Sequence, residues 1–318
     1  MTVEKQIARM LYRMSPENCD KLKTLSEAVS LIKDGDSVTF SGVGISAHPV
    51  AFAHEMIRQQ KRNLEIAGSA AWFVDNLLIG AGSVDRMLVI ADSSEVGGVS
   101  PALRRAVQKG DLIVEDYSFF ALACRLMAGA IGVPFLPTKS MLGSDMLRHT
   151  WLEGRNKFRI MKCPFSGEKV VLVPALKPDV AVIHAQRADE DGNVQMLGPT
   201  ALVEEQARAS NKVIVTVEKI VSKAVTRRRP ELTIIPSFVV DAIVEVPYGA
   251  HPTSVHTCYD YDLDHLKYAF EQSKDEENFK RYLDEFVHGT NNHLEYLKRV
   301  GGPERLKRLE TNLQFGRR

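Results

Sequence analysis

Apolar and polar positions along this chain alternate between a helical period and short continuous runs. Leu25, Ala28, Val29, Leu31 and Ile32 recur at helical spacing, and Asp34-Gly35-Asp36 closes that helix. The run SVTFSGVGI (37–45) predicts a buried strand leading into a glycine turn. Pro49 lacks the N–H that a first helical residue does not need, so it can open a helix over 50–60. Strands are then predicted over 63–68, 86–92 and 112–118, with helices over 73–79, 102–108 and 119–130. VPFLP (133–137) is short and apolar. The segments 169–175, 179–185, 212–218 and 241–247 are near-continuous Val, Ile and Ala runs. Strands covered on both faces have that composition, which favours parallel pairing. The alternation predicts an α/β fold, an open and mostly parallel sheet with flanking helices. From about Asp262 the pattern turns charged and helical, without a further strand. The expectation is one domain over 1–318, with a peripheral lead-in at 1–24 and a helical C-terminal extension over about 262–318. A weak boundary signal lies near 145–165.

Composition narrows the classes of function. With 44% hydrophobic and 25% charged residues, neither disorder nor a fibrous repeat fits. Lys and Arg number 41 against 40 Asp and Glu, so nothing general draws the chain to nucleic acid or an anionic membrane. Cys19, Cys124, Cys163 and Cys258 lie far apart, with no C-x-x-C pair and no His at ligand spacing. No metal site or disulfide framework is expected, and reduced thiols fit a cytoplasmic protein. The opening MTVEKQIARMLYRM scatters charges among its apolar residues, unlike a signal peptide. No run reaches the roughly 18 apolar residues of a membrane span. The richest stretch, 121–137, is broken by Arg125, Gly129, Gly132 and Pro134.

The glycines cluster beside the strand-like runs, and the candidate chemistry lies there. In SGVGISAHP (41–49), Gly42 and Gly44 follow a strand and precede a helix. Glycine permits positive φ and close approach, and the helix N-terminus offers free N–H groups to a phosphate, carboxylate or acyl oxygen. The spacing is neither G-x-G-x-x-G nor a P-loop, and a plain tight turn is the competing reading. In AGSAAWF, Ser69 sits at a strand end, where open α/β sheets bind ligands, or else it caps the next helix. In ADSSEVGGVSP, Glu95 beside Gly97 and Gly98 is either a reactive carboxylate or a solvated loop acid. VEDYS places Glu115 and Asp116 on opposite faces of a strand, so at most one faces a pocket. Glu115 reads as a candidate active-site carboxylate, or as the cap of a neighbouring helix. His184 and Gln186 share one face of a strand that ends in DEDGN, a hairpin-like turn signal. Gly249 and His251 in PYGAHPTS form a binding loop or a rigid turn. The arginines of TRRRP (226–230) read as an exposed loop.

Taken in order, these segments resemble the A (alpha) subunit of class I coenzyme A-transferases, of the glutaconate CoA-transferase type. The resemblance rests on DGDSVTFSGVG, HPVAFAHEMIRQ, LLIGAGSVDRM, GDLIVEDYS, GVPFLPTKSMLGSD, CPFSGEKVVLVPAL, DVAVIHAQRADEDGNV, VEKIV, DAIVEVPYGAHPTS and YDYD, and it runs from about 25 to about 300. It implies an enzyme subunit paired with a homologous B subunit, as a heterodimer, heterotetramer or higher assembly, with the site at their interface. It implies no permanently bound cofactor, a coenzyme A thioester and a carboxylic acid as substrates, and a glutamate nucleophile supplied by the B subunit. This chain's share is then the acyl-substrate side: Gly42, Gly44, Ser69, Glu95, Gly97, Gly98 and His251, with Glu115 as the candidate catalytic carboxylate. Ala47 and His48 stand where such subunits tend to carry a basic pair, so an arginine clamp for a free carboxylate is missing. Trp72 and Phe73 predict a more apolar pocket. Relatives of this architecture also act as acyl-CoA hydrolases, some opening steroid-derived rings, and as decarboxylases. Those alternatives would use Glu115 as a base, and a further alternative is a non-catalytic scaffold subunit.

Overall fold

The computed structural model describes residues 20–90, 92–148 and 157–311. Residues 1–19 of the expected lead-in, 149–156 of the weak boundary and 312–318 of the extension lie outside them, as does Cys19. Seven strands form the central sheet: β1 (Ser37–Phe40), β2 (Leu64–Ala67), β3 (Val84–Val89), β4 (Ile113–Asp116), β5 (Val180–Asp189), β6 (Lys212–Val221) and β7 (Ala242–Glu245). Their spatial order is β7-β6-β5-β1-β2-β3-β4, and each neighbouring pair is parallel. Short strands Val194–Gln195 and Thr233–Ile235 add antiparallel pairing beside the far half of β5. The turn between β5 and Val194 closes through Asp189 N donating to Asn193 O at 3.1 Å, as the DEDGN signal predicts.

The flanking helices begin and end on local signals. Thr24 and Glu27 form a capping box on α1 (Leu25–Ser30). Helices α2 (Val50–Arg58) and α3 (Trp72–Gly80) follow β1 and β2, and Pro49 stands just ahead of α2 rather than inside it. Ser100 caps α4 (Pro101–Lys109), and Ser118 caps α5 (Phe119–Ile131). After α6 (Val203–Ala209) comes α7 (Lys223–Arg228), so part of the expected TRRRP loop is helical. Past Asp262 the described residues build α8 (Leu263–Gln272), α9 (Glu276–Leu283), α10 (His293–Arg299) and α11 (Gly302–Leu309).

The strand pleat divides the core. Val38, Phe40, Leu64 and Ile66 pack against α2, α3 and the C-terminal helices. Ala181, Ile183, Val213 and Val215 meet α6 on the opposite face, and Ala67 and Leu88 meet α5 there. Two apolar runs depart from the expected parallel sheet. Phe135–Thr138, Lys169–Pro174 and Arg159–Lys162 form a separate antiparallel sheet with Lys169–Pro174 at its centre. Only one face of that centre strand is covered: Val171 and Val173 pack into the α5 core, while the residues between them stay half-exposed. A run of Val and Leu thus looked doubly buried although its strand is buried on one side.

Candidate functional site

The strand-end turns gather at the carboxyl edge of the sheet. Gly42 has φ 127°, and a Cβ there would stand 2.4 Å from His48 Cδ2. Gly44 has φ 61°, and its Cβ would stand 2.9 Å from Glu95 Oε1. Gly42 therefore needs glycine for conformation and for space, and Gly44 for conformation. Ser41 anchors the turn: its Oγ donates to Ala47 O at 2.9 Å and accepts from His184 N at 2.9 Å. Ser254 braces the far side, where Ala47 N donates to Ser254 O at 2.8 Å and Ser254 N to Ile45 O at 2.9 Å. From α6, Gln206 Nε2 donates to Phe40 O and to Thr39 Oγ1, both at 2.9 Å, and fixes the end of β1. His48 is fully buried under the turn. Burial lowers its pKa to about 3, with the backbone of Gly44 opposing the shift, so the ring is neutral.

Ser69 is 1% exposed and faces inward. Its Oγ accepts from Ala71 N at 3.0 Å at the start of α3. It also hydrogen-bonds Asp75, whose pKa is raised well above the usual range by burial and by the charge of Asp92. Burial pushes Asp92 up to about 7, against a hydrogen bond from Ser100. A pair of buried acids thus joins the Ser69 turn to the base of the next loop. That loop is a small hairpin, Ser93–Ser94 against Gly98–Val99, with Glu95 exposed at its tip. Gly97 rests on α8, where a Cβ would lie 2.2 Å from Phe270 Cε1, and Gly98 takes φ 90°. Trp72 and Phe73 do not line an open pocket. Each is 1% exposed, and Trp72 packs edge-on to His48, Phe73 and Phe270.

Glu115 and His251 stand apart from this cluster. Glu115 emerges on the α5 face of β4, and its Oε1 lies 2.6 Å from Lys157 Nζ with both side chains buried. Tyr117 stacks under two cations, Lys157 at 5.0 Å and Arg125 at 4.8 Å. Lys157 thus occupies one carboxylate oxygen of Glu115. His251 is fully buried, with Nδ1 2.8 Å from Tyr296 Oη and Nε2 3.1 Å from Asp262 Oδ2. Burial alone would raise Asp262, but hydrogen bonds from His251, Arg305 and the His265 amide hold it well below the usual range. Three more histidine rings surround Tyr296: His54 at 4.7 Å, His293 at 5.8 Å and His265 at 6.2 Å. His184 and Gln186 are likewise tied down. His184 bonds Thr216 Oγ1 and Glu218 Oε1, both at 2.8 Å, and Gln186 Nε2 donates to Leu197 O at 2.7 Å. Glu218 also accepts from Tyr248 N at 2.6 Å, Gly249 N at 3.2 Å and Tyr259 Oη at 2.7 Å, which fastens the PYGAHPTS loop to the sheet.

The structure therefore unites Gly42, Gly44, Glu95, Gly97 and Gly98, with Ser69 beneath them. Sequence reasoning passed over Asp75, Gln206, Glu218 and Lys157. Asp75 left a trace, as a lone acid inside the apolar helix WFVDNLLIG, and Glu218 lies in the quoted VEKIV segment. Among the described residues no helix is long and apolar enough to cross a membrane, and no group of three or more His, Cys, Asp or Glu is placed to hold a metal ion.

A family model described as coenzyme A transferase matches residues 22–246. The A subunit of glutaconate CoA-transferase from Acidaminococcus fermentans is 36% identical over 294 residues, covering 88% of this chain and 92% of that protein. The crystal structure of that organism's glutaconate CoA-transferase superposes with a TM-score of 0.87 over 92% of this chain and 96% of that one. The A subunit of 3-oxoadipate CoA-transferase from Pseudomonas knackmussii is 34% identical, covering 88% of this chain and 98% of that protein. An uncharacterised protein of Archaeoglobus fulgidus is 37% identical over 93% of this chain, but the match spans 65% of its length.

Proposed function

Because this chain belongs to the coenzyme A transferase family, we propose that it is the A subunit of a two-chain enzyme that moves coenzyme A between an acyl thioester and a carboxylic acid. One observation carries the reading. Glycine turns converge on one sheet edge, while Glu115 behind them is held by Lys157. The chain thus offers a surface for substrate, and a homologous B subunit supplies the nucleophile. The B subunit's glutamate oxygen attacks the thioester carbonyl and expels coenzyme A thiolate, which leaves a mixed anhydride. The thiolate then attacks the glutamyl carbonyl, which frees the acyl carboxylate and leaves a glutamyl thioester; the incoming acid reverses both steps.

In this proposal the N–H groups of the Gly42–Gly44 turn receive the acyl oxygen, and Gly97 and Gly98 shape the hairpin that carries Glu95. Ser69 orders the start of α3, and His251 anchors the loop whose Ser254 braces the first turn, both as positioning residues. Coenzyme A comes and goes as substrate. A hydrolase or decarboxylase with Glu115 as base has less support, because that carboxylate is buried against a lysine.

The test is borohydride reduction during turnover of the complex copurified with its B subunit. Reduction of a B-subunit glutamate, with ping-pong kinetics, is expected. Reduction of Glu95 or Glu115, or transfer by this chain alone, would overturn the assignment. Loss of acyl-CoA hydrolysis in Glu115→Gln, with assembly intact, would favour the base reading.

A further inference from the structure

A glycine turn at a strand end presents backbone N–H groups that ordinarily attract anions. In this chain a carboxylate already borders the turn, since a Cβ on Gly44 would stand 2.9 Å from Glu95 Oε1. Glu95 is exposed, and no described residue pairs with it. The ring beneath the turn offers no compensating charge, because burial keeps His48 neutral down to about pH 3. The cations at the neighbouring strand end are engaged elsewhere: Lys157 with Glu115, and Arg125 through Nε to Pro174 O at 3.0 Å. With the acyl oxygen in the turn, a second negative charge farther along the acyl chain would meet this uncompensated first one.

We propose that Glu95 is a specificity-determining residue that turns away acyl groups ending in a free carboxylate, so that the preferred substrates are coenzyme A thioesters of uncharged acyl chains. The proposal rests on the acyl-transfer reading above and names its substrate class. A like charge several ångströms away at a partly exposed site weakens binding on the order of tenfold.

The experiment compares butyryl-CoA with glutaryl-CoA, which differ chiefly by a terminal carboxylate. It uses the copurified complex and measures Kd by calorimetry alongside kcat/KM for transfer to acetate. The wild type is expected to favour butyryl-CoA by about tenfold in both measures, Glu95→Gln to narrow that ratio, and Glu95→Lys to invert it. Equal binding of the two thioesters, preference for glutaryl-CoA, or an unchanged ratio in Glu95→Gln would overturn the proposal. A Kd preference without transfer would support the specificity and count against the transferase reading. Transfer with a glutaryl preference would do the reverse.

Discussion

Two regions of the molecule bury ionisable groups in opposite ways. Under the glycine turns lie two acids, Asp75 and Asp92, both raised by burial, with the charge of Asp92 raising Asp75 further. At the junction of α2, the 251–254 loop and the C-terminal helices lie four histidines around Tyr296. Burial keeps His54, His251 and His265 deprotonated. Burial disfavours the charged form of these acids and histidines alike, but each region resists a different direction of pH. The unfolded chain protonates its histidines near 6.5, whereas folded His265 waits until about 3, so the knot loses stability as pH falls through that interval. An unfolded aspartate ionises near 3.8, whereas folded Asp92 keeps its proton to about 7, so the acid pair loses stability as pH rises between those values. Burial alone does not set the pH response of a core; the sign of the ion it excludes does.

The most damaging way to break the comparison is to empty the knot. Tyr296→Ala should destabilise the fold by roughly 3–5 kcal/mol, read from denaturant midpoints, and a loss near zero would mean that the histidines pack without it. Removing the titration of the acid pair sharpens the other half. Asp92→Asn should gain about 1–3 kcal/mol relative to wild type at pH 8 compared with pH 4, and parallel curves of Tm against pH would refute the raised pKa of Asp92. The smallest effect is expected at His54, whose ring nitrogens have no hydrogen-bond partner among the described residues. His54→Leu should leave stability at pH 7 unchanged or raise it by about 1 kcal/mol, and should flatten the acid limb. A variant as acid-sensitive as wild type would place that sensitivity elsewhere.

What was legible in the sequence follows the range of the signal. Short runs ending in Gly42 or Gly68 announced strands and their turns, because strand, turn and helix start are neighbours in the chain. The approach of Glu95 to Gly44 was not legible, since it depends on β1 and β3 being brought to the same edge with β2 between them. His251 looked like a loop ligand until Tyr296 and Asp262, both later in the chain, claimed its two nitrogens. Lys157 gave no sign of its partner, because Glu115 lies on a strand far upstream. The glycine turns could be placed, but the charges that decide what those turns accept could not.

The fastening of the 247–259 loop carries a chemical consequence of its own. Tyr248 N, Gly249 N and the Tyr259 hydroxyl present hydrogen atoms to Glu218, and His184 Nε2 lies 2.8 Å from the same carboxylate. The position is a socket for lone pairs alone. An amide of the same shape would bring its own hydrogens to a place where three neighbours already have one to give. Glutamine, the nearest uncharged look-alike, is therefore the wrong key for this lock, while aspartate falls short by a methylene. The loop is held by a requirement so narrow that shape and chemistry together leave one residue to meet it.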